Sequence, residues 1–407
     1  MRVLLGAILV LFHPLLSAQA GNESPEIRAW RDFTQQLEIS GVEILKTYPQ
    51  PEELDRAEGL RYLLQQVSSS IQQRVIAQPG QIALLRVGAT TINKWGLDGA
   101  DAKYQAASID GSGSYRLYGR LGSARLFALQ VTRMGSIFAA YGSLTGDQLQ
   151  ADETGNFEVL ISPVKPADWQ GVWLELNPQA NNILLREYFA DWATERPGNY
   201  YIERLDDIAT SAPVTTKQMT ALLSATASTF SSRAPQWQGR VEQARKHLVN
   251  RVHMQKATGQ GLAANAYGSS WFRVAQDEAL IIEMDPPDAL LWSVQLGNVW
   301  WESIDYINHT ASYNGSQATA SSDGKYRFVL SYQDPGVPNW LDPAGHLEGA
   351  LLFRMQKINE LVNPTLQLVP LAELAKYLPS DTPSVATKQR QLEIAGRRQH
   401  AAVRWAP

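Results

Sequence analysis

The sequence predicts an α+β protein: two β-rich domains bridged by helical segments, with a helical N-terminus and a helical tail. The C-terminal β domain is expected to be sandwich- or jelly-roll-like. Three observations lead there. Apolar residues recur every three or four positions in 21–79 and again in 206–262. Residues 80–205 and 263–357 instead hold short β-prone runs separated by Gly, Asp, Asn and Pro. Many short strands with frequent turn signals are the pattern of sandwiches and jelly rolls.

Residues 1–20 read as a signal peptide. Arg2 precedes an apolar run from Val3 to Leu16, and Ser17-Ala18-Gln19-Ala20 supplies an A-x-A cleavage signal. That predicts export and a periplasmic or secreted location. In 21–79, Ser24 and Pro25 mark a helix start, with Ile27, Trp30, Phe33 and Leu37 on one face. A second helix is expected from Pro51, its apolar stripe running Leu54, Ala57, Leu60, Leu64, Val67, Ile71 and Val75.

In 80–205, strands are expected near 114–120, 124–132, 156–162, 172–177 and 183–190. Tyr115, Leu117 and Gly119 alternate with Arg116 and Tyr118, the period of a half-buried strand. The connector 206–262 reads as two helical stretches broken at Pro235 and closed by Gly259-Gln260-Gly261. In 263–357, strands are expected near 278–284, 290–296, 326–332 and 349–355. In the tail, 358–407, five basic residues (Lys388, Arg390, Arg397, Arg398, Arg404) against Glu393 give +4 from position 384 onward. Such a tail is ordinarily solvated, and weak contact with anionic lipid is the functional reading.

Composition narrows the chemistry. The 407 residues contain no cysteine, which removes disulfides, thiolate nucleophiles and cysteine-held metals. The net charge of -4 argues against nucleic acid as a partner. Six histidines without an H-E-x-x-H pattern predict no metal, and no dinucleotide or phosphate-loop fingerprint predicts a cofactor.

The segment 331–354, SYQDPGVPNWLDPAGHLEGALLFR, concentrates Asp334, Asn339, Trp340, Asp342, His346 and Arg354 among prolines and glycines. Polar and aromatic groups on a stiff loop held by a scaffold are the usual setting of a site. Asp342 and His346 are candidates for an acid/base pair, with Arg354 stabilising charge and needing a carboxylate such as Asp334, Asp342 or Asp305. Trp300, Trp301 and Trp340 are candidates for an aromatic wall, and adjacent indoles on a strand would face opposite ways. Two further clusters stand out: Asn93 to Tyr104, and Arg186 with Asp191, Trp192 and Glu195. The structural alternative is that each group merely ties down its own turn.

Several motifs carry a family resemblance. They are GLRYLLQQV (59–67), WGLDGADAKYQAASIDGSGSYRLYGRLG (95–122), REYFADWATERPG (186–198), LGNVWWESIDY (296–306) and DPGVPNWLDPAGHLEGALLFR (334–354). In order and spacing the chain resembles bacterial proteins of the domain-of-unknown-function family 1214 across roughly residues 50–357. The resemblance implies a β-sandwich C-terminal domain beside a smaller β domain and helices, and no settled reaction.

Three functions follow as expectations. The first is binding or processing of an apolar small molecule (a steroid, terpenoid or aromatic acid) in a pocket of the C-terminal β domain. The second is a hydrolase or lyase using Asp342 and His346. The third is a carbohydrate-binding or envelope interaction module, which requires exposed, coplanar aromatics on a sheet face and not a pocket.

Overall fold

The computed structural model describes residues 23–47, 52–76, 83–90, 93–135, 138–206, 213–257 and 265–405. The expected signal peptide at 1–20, Pro51 and the Gly259-Gln260-Gly261 turn lie outside the described residues.

Helix α1 (Pro25–Lys46) starts where the sequence places it, with the Ser24 hydroxyl accepting from the Ile27 amide at 3.5 Å. Helix α2 (Glu53–Ile71) begins with a reciprocal cap between Glu52 and Asp55. Its buried face is a correction to the periodicity. Asp55, Gly59, Tyr62, Gln66 and Ser70 point inward, while Leu60 and Leu64 of the expected stripe lie outside, Leu64 at 73% exposure. The inner face meets a polar cluster and a tryptophan, with Leu63 and, from the expected stripe, Val67 packed against the same buried cluster.

Helix α3 (Thr216–His247) runs unbroken through Pro235. Proline costs the helix one backbone hydrogen bond, which packing of Phe230, Val241 and Ala244 into a buried cluster offsets.

Nine strands form the first β unit: β1 (Arg86–Val87), β2 (Ala102–Ser108), β3 (Tyr115–Arg120), β4 (Leu126–Arg133), β5 (Ala139–Thr145), β6 (Asn156–Ser162), β7 (Val172–Glu175), β8 (Asn182–Tyr188) and β9 (Asn199–Arg204). One sheet has the order β1-β2-β8-β4-β5 and the other β7-β6-β3-β9; pairing is antiparallel except between β6 and β7. Leu117, Val159 and Ile161 from one sheet meet Leu129, Val131, Ile183 and Leu185 from the other in a single core, so the unit is a sandwich.

The second unit has nine more: β10 (His253–Lys256), β11 (Ala266–Arg273), β12 (Glu278–Met284), β13 (Ala289–Gly297), β14 (Ser312–Asn314), β15 (Tyr326–Ser331), β16 (Trp340–Leu341), β17 (Glu348–Ile358) and β18 (Thr365–Pro370). Its sheets are β10-β11-β17-β13-β14 and β16-β15-β12-β18, enclosing Phe272, Leu280, Ile282, Val294, Phe328 and Phe353. Strands β10 and β18 thus fall in stretches the sequence reads as helical. The outer face of β11 and β17, through Trp271 and Leu352, packs under α2 and α3.

Helix α4 (Thr387–Arg404) corrects the picture of a solvated basic tail. Arg390, Arg397 and Arg404 are buried. Arg390 pairs with Asp334, Arg397 donates to the Tyr306 carbonyl, and Arg404 donates to the Ala100 carbonyl of the first unit. Their charge is spent inside the protein, while Lys388 and Arg398 of the same helix stay exposed.

Candidate functional site

The loop 331–354 does not gather its polar groups around one hollow. Asp334 holds the Gly336 amide at 2.9 Å and Arg390 at 3.1 Å. Asn339, at φ 54°, is buried and bonded to the backbone of Thr319 and Arg327. The Trp340 indole donates to the Ser331 carbonyl at 3.0 Å, and Arg390 covers its ring. A cavity beside Asn339 measures about 70 Å³, well short of the ~300 Å³ that a small-molecule pocket begins at.

The expected catalytic pair separates. Asp342 accepts from the Ala344 amide at 2.8 Å and lies 2.7 Å from His309 Nδ1, a partner the sequence reading did not name. His346 Nδ1 donates to the Pro343 carbonyl at 2.8 Å, and its Nε2 points at Glu58 Oε2, 2.9 Å away. The Asp342 bond and charge raise the His309 pKa above its ordinary value, against the lowering effect of burial. A raised folded-state value means the pair stabilises the fold fully below the unfolded pKa, about 6.5, and ceases to as pH rises through the folded one. NMR titration of Asp342→Asn is expected to return His309 downward, and the variant's stability deficit to be present on the acid side and vanish at alkaline pH.

Arg354 takes neutral partners: the Gln295 side chain at 2.7 Å and the Leu97 carbonyl. Arg186 bonds Gln130, and Asp191 closes its own turn through the Ala193 amide and Thr194 hydroxyl. Trp300 and Trp301 occupy a turn and not a strand, with Trp301 at φ 60°, so both sink into the same buried cluster.

The motif-rich loops instead build the seam between the sandwiches. Gln295 donates to the Asp98 carbonyl at 2.7 Å and accepts from the Ala100 amide at 3.0 Å. Asp101, buried, accepts from the Trp192 indole at 2.9 Å and the Asn314 amide at 2.6 Å. Asp98 accepts from the Ser303 hydroxyl at 3.0 Å. Each such bond nets about 0.5–1.5 kcal/mol, but leaving one buried partner bare costs about 1–3 kcal/mol. Polar loops this dense are what a buried joint demands.

Two places have chemistry left over. On α2, Asp55, Glu58 and Tyr62 share the inner face. The Trp300 indole donates to the Asp55 carbonyl at 2.7 Å and stacks on Tyr62 at 5.5 Å. Asn298 donates to Glu58 Oε2 at 2.7 Å, while Arg61 pairs with Glu58 Oε1 at 2.7 Å. Burial pushes Glu302, on the same turn as Asn298, up to about 8. Sequence reasoning missed Asp55 and Glu58; their one signal was polarity opposite the leucine stripe.

The second place is the solvent face of the sheet β7-β6-β3-β9. Tyr118 and Tyr201 are register partners, their rings 5.5 Å apart and 29° from parallel. Arg116 lies over Tyr118 at 4.8 Å and is itself held by Glu203 and Glu158. An open groove of about 860 Å³ runs along this face, bordered by Asp152, Asn156 and Asn199. Tyr201 remains 57% exposed.

These features define a class, a tandem β-sandwich protein whose helices clamp the second sandwich and whose last helix crosses the seam. The chain belongs to the family of an uncharacterized protein from Burkholderia cenocepacia, with which it shares 30% identity. The two structures superpose with a TM-score of 0.80 over 85% of this chain and 97% of that one. A protein from Vibrio parahaemolyticus superposes at a TM-score of 0.45 with 10% identity, over 82% of this chain and 100% of that one, a likeness too weak to bear on function. No protein-family model and no curated protein matches the chain.

Proposed function

We propose that the chain is an exported binding module for neutral polysaccharide, engaging it along the solvent face of the first sandwich. Membership of the domain-of-unknown-function family 1214, which the motifs suggest, is part of the same reading and adds no reaction to it. The observation that carries it is the Arg116–Tyr118–Tyr201 ladder beside the open groove. A tyrosine left more than half exposed on a rigid sheet offers an apolar plate, and the C–H face of a pyranose ring is a matching apolar surface. Asn199 offers a side-chain amide at the groove edge for sugar hydroxyls, while Asp152 and Asn156 bond one another across their own turn at 3.0 Å. Arg116 is neutralised by two glutamates, so the face favours an uncharged glycan.

The test is affinity electrophoresis of the full chain through gels containing soluble β-glucan, arabinoxylan or galactomannan. The chain is expected to be retarded in at least one. Tyr201→Ala is expected to weaken retention about tenfold, equivalent to ~1.4 kcal/mol, with an unchanged melting temperature because the side chain contributes little to the core. Free migration of the unmodified chain in all three gels, or equal retardation of the variant, overturns the reading.

A further inference from the structure

We propose that Asp55, Glu58 and His346 form a binding site for one divalent transition-metal ion, with Zn²⁺ the best-matched probe. One donor atom from each residue lies within 4.8 Å of the other two. The residues come from one face of α2 and from the loop ahead of β17, so an ion there would join helix to sandwich.

Three features distinguish this group from an ordinary ion pair. First, the Pro343 carbonyl takes the Nδ1 proton of His346, which turns Nε2 toward the carboxylates. Metal-bound histidines are oriented in this way, the far nitrogen donating to a carbonyl or carboxylate. Second, Asp55 is 7% exposed, and its Oδ1 has no hydrogen-bond partner among the described residues. That oxygen is aimed at His346 Nε2 from 3.9 Å. A proton on Nε2 would serve Glu58, 2.9 Å away, and leave Asp55 Oδ1 bare. A cation between the three answers both oxygens at once. Third, Glu302 nearby is 0% exposed with neither carboxylate oxygen bonded among the described residues.

The His346 separations stand to either side of those of a tetrahedral ion. Bonds of about 2.0–2.2 Å set neighbouring donors roughly 3.3–3.6 Å apart, and the observed His346 separations of 2.9 and 3.9 Å bracket that range. One imidazole nitrogen with two carboxylate oxygens is a borderline donor set, suited to Zn²⁺ ahead of Ca²⁺ or Mg²⁺. Glu58 is not fully enclosed, its side chain 12% exposed at the rim beside Arg61, so a water can complete the coordination. The sequence reading expected no metal because its ligands stand 288 residues apart and form no local motif.

The decisive variant is Asp55→Asn. Asparagine keeps an oxygen for the Glu52 amide, so the α2 cap survives, while the unpartnered anionic oxygen is lost. The full chain, stripped with EDTA and desalted, is titrated with ZnCl₂ by calorimetry and its melting temperature followed in parallel. The expected result is saturable uptake of one ion per chain with a rise in melting temperature. Asp55→Asn is expected to bind at least about tenfold more weakly while melting normally without zinc, and His346→Gln to bind no ion at this site. Absence of stoichiometric uptake by the unmodified chain, or equal affinity in Asp55→Asn, overturns the proposal. Neither outcome touches the polysaccharide face, which shares no residue with this cluster.

Discussion

Replacing Arg404 by alanine is expected to lower the unfolding free energy by about 3–5 kcal/mol, the cost of removing one member of a buried charged group. Arg404 is 1% exposed. Its guanidinium bonds the Ala100 carbonyl and His400 Nε2, and it stacks over Trp192 at 4.6 Å and Phe189 at 4.9 Å. It is also a favourable charge near buried Asp101. The variant strands a carbonyl and removes a favourable charge from the surroundings of buried Asp101. Arg404→Lys is expected to recover little, because an ammonium cannot supply the planar fork or the stack. Urea unfolding followed by tryptophan fluorescence measures both. A loss under about 0.5 kcal/mol, ordinary for surface positions, would mean that α4 does not hold the seam.

Gly59→Ala tests the other clamp, and two effects oppose one another. Alanine in a helix interior gains about 1 kcal/mol over glycine. Here a β-carbon would stand 2.9 Å from Trp300 Cε2 and closer still to Cζ2. The indole cannot swing aside, being stacked on Tyr62 and bonded to the Asp55 carbonyl. Overpacking of this kind costs about 1–3 kcal/mol, and the rigid ring places this site at the upper end, so the clash wins. The variant is expected to unfold about 1–2 kcal/mol more easily. A stabilised variant would show that α2 is not seated on the tryptophan.

The β architecture was readable because strand physics is local. Tyr115 and Leu117 turn inward, Arg116 and Tyr118 outward, as a two-residue period requires. Strand β2, AKYQAAS, escaped notice because alanine, serine and glutamine carry little β propensity and the strand is held by its neighbours β1 and β8. The inner face of α2 was misread for the same reason in reverse. Leucines mark a stripe, but the partner waiting for the helix is a tryptophan ring and a set of polar side chains. In the motif-dense loops the structural alternative holds, each polar group tying down its own turn or the seam. Glycine-rich, polar, irregular segments serve a ligand site and a buried inter-domain joint equally well, and burial decides between them. Asp342 found His309 and His346 found Glu58, pairings that no spacing rule along the chain supplies.

The span bridged by α4 has a consequence for biogenesis. Arg404 and the Ala100 carbonyl it satisfies are separated by 304 positions. Delivered N-terminus first, whether from a ribosome or from an export channel, the chain therefore has its first sandwich in place before the staple arrives. During that interval the facing loops stay wet and the joint stays open. Chains stopped short of residue 387 would keep both sandwiches yet lack the latch, making them targets for proteases that cut at an unclosed joint.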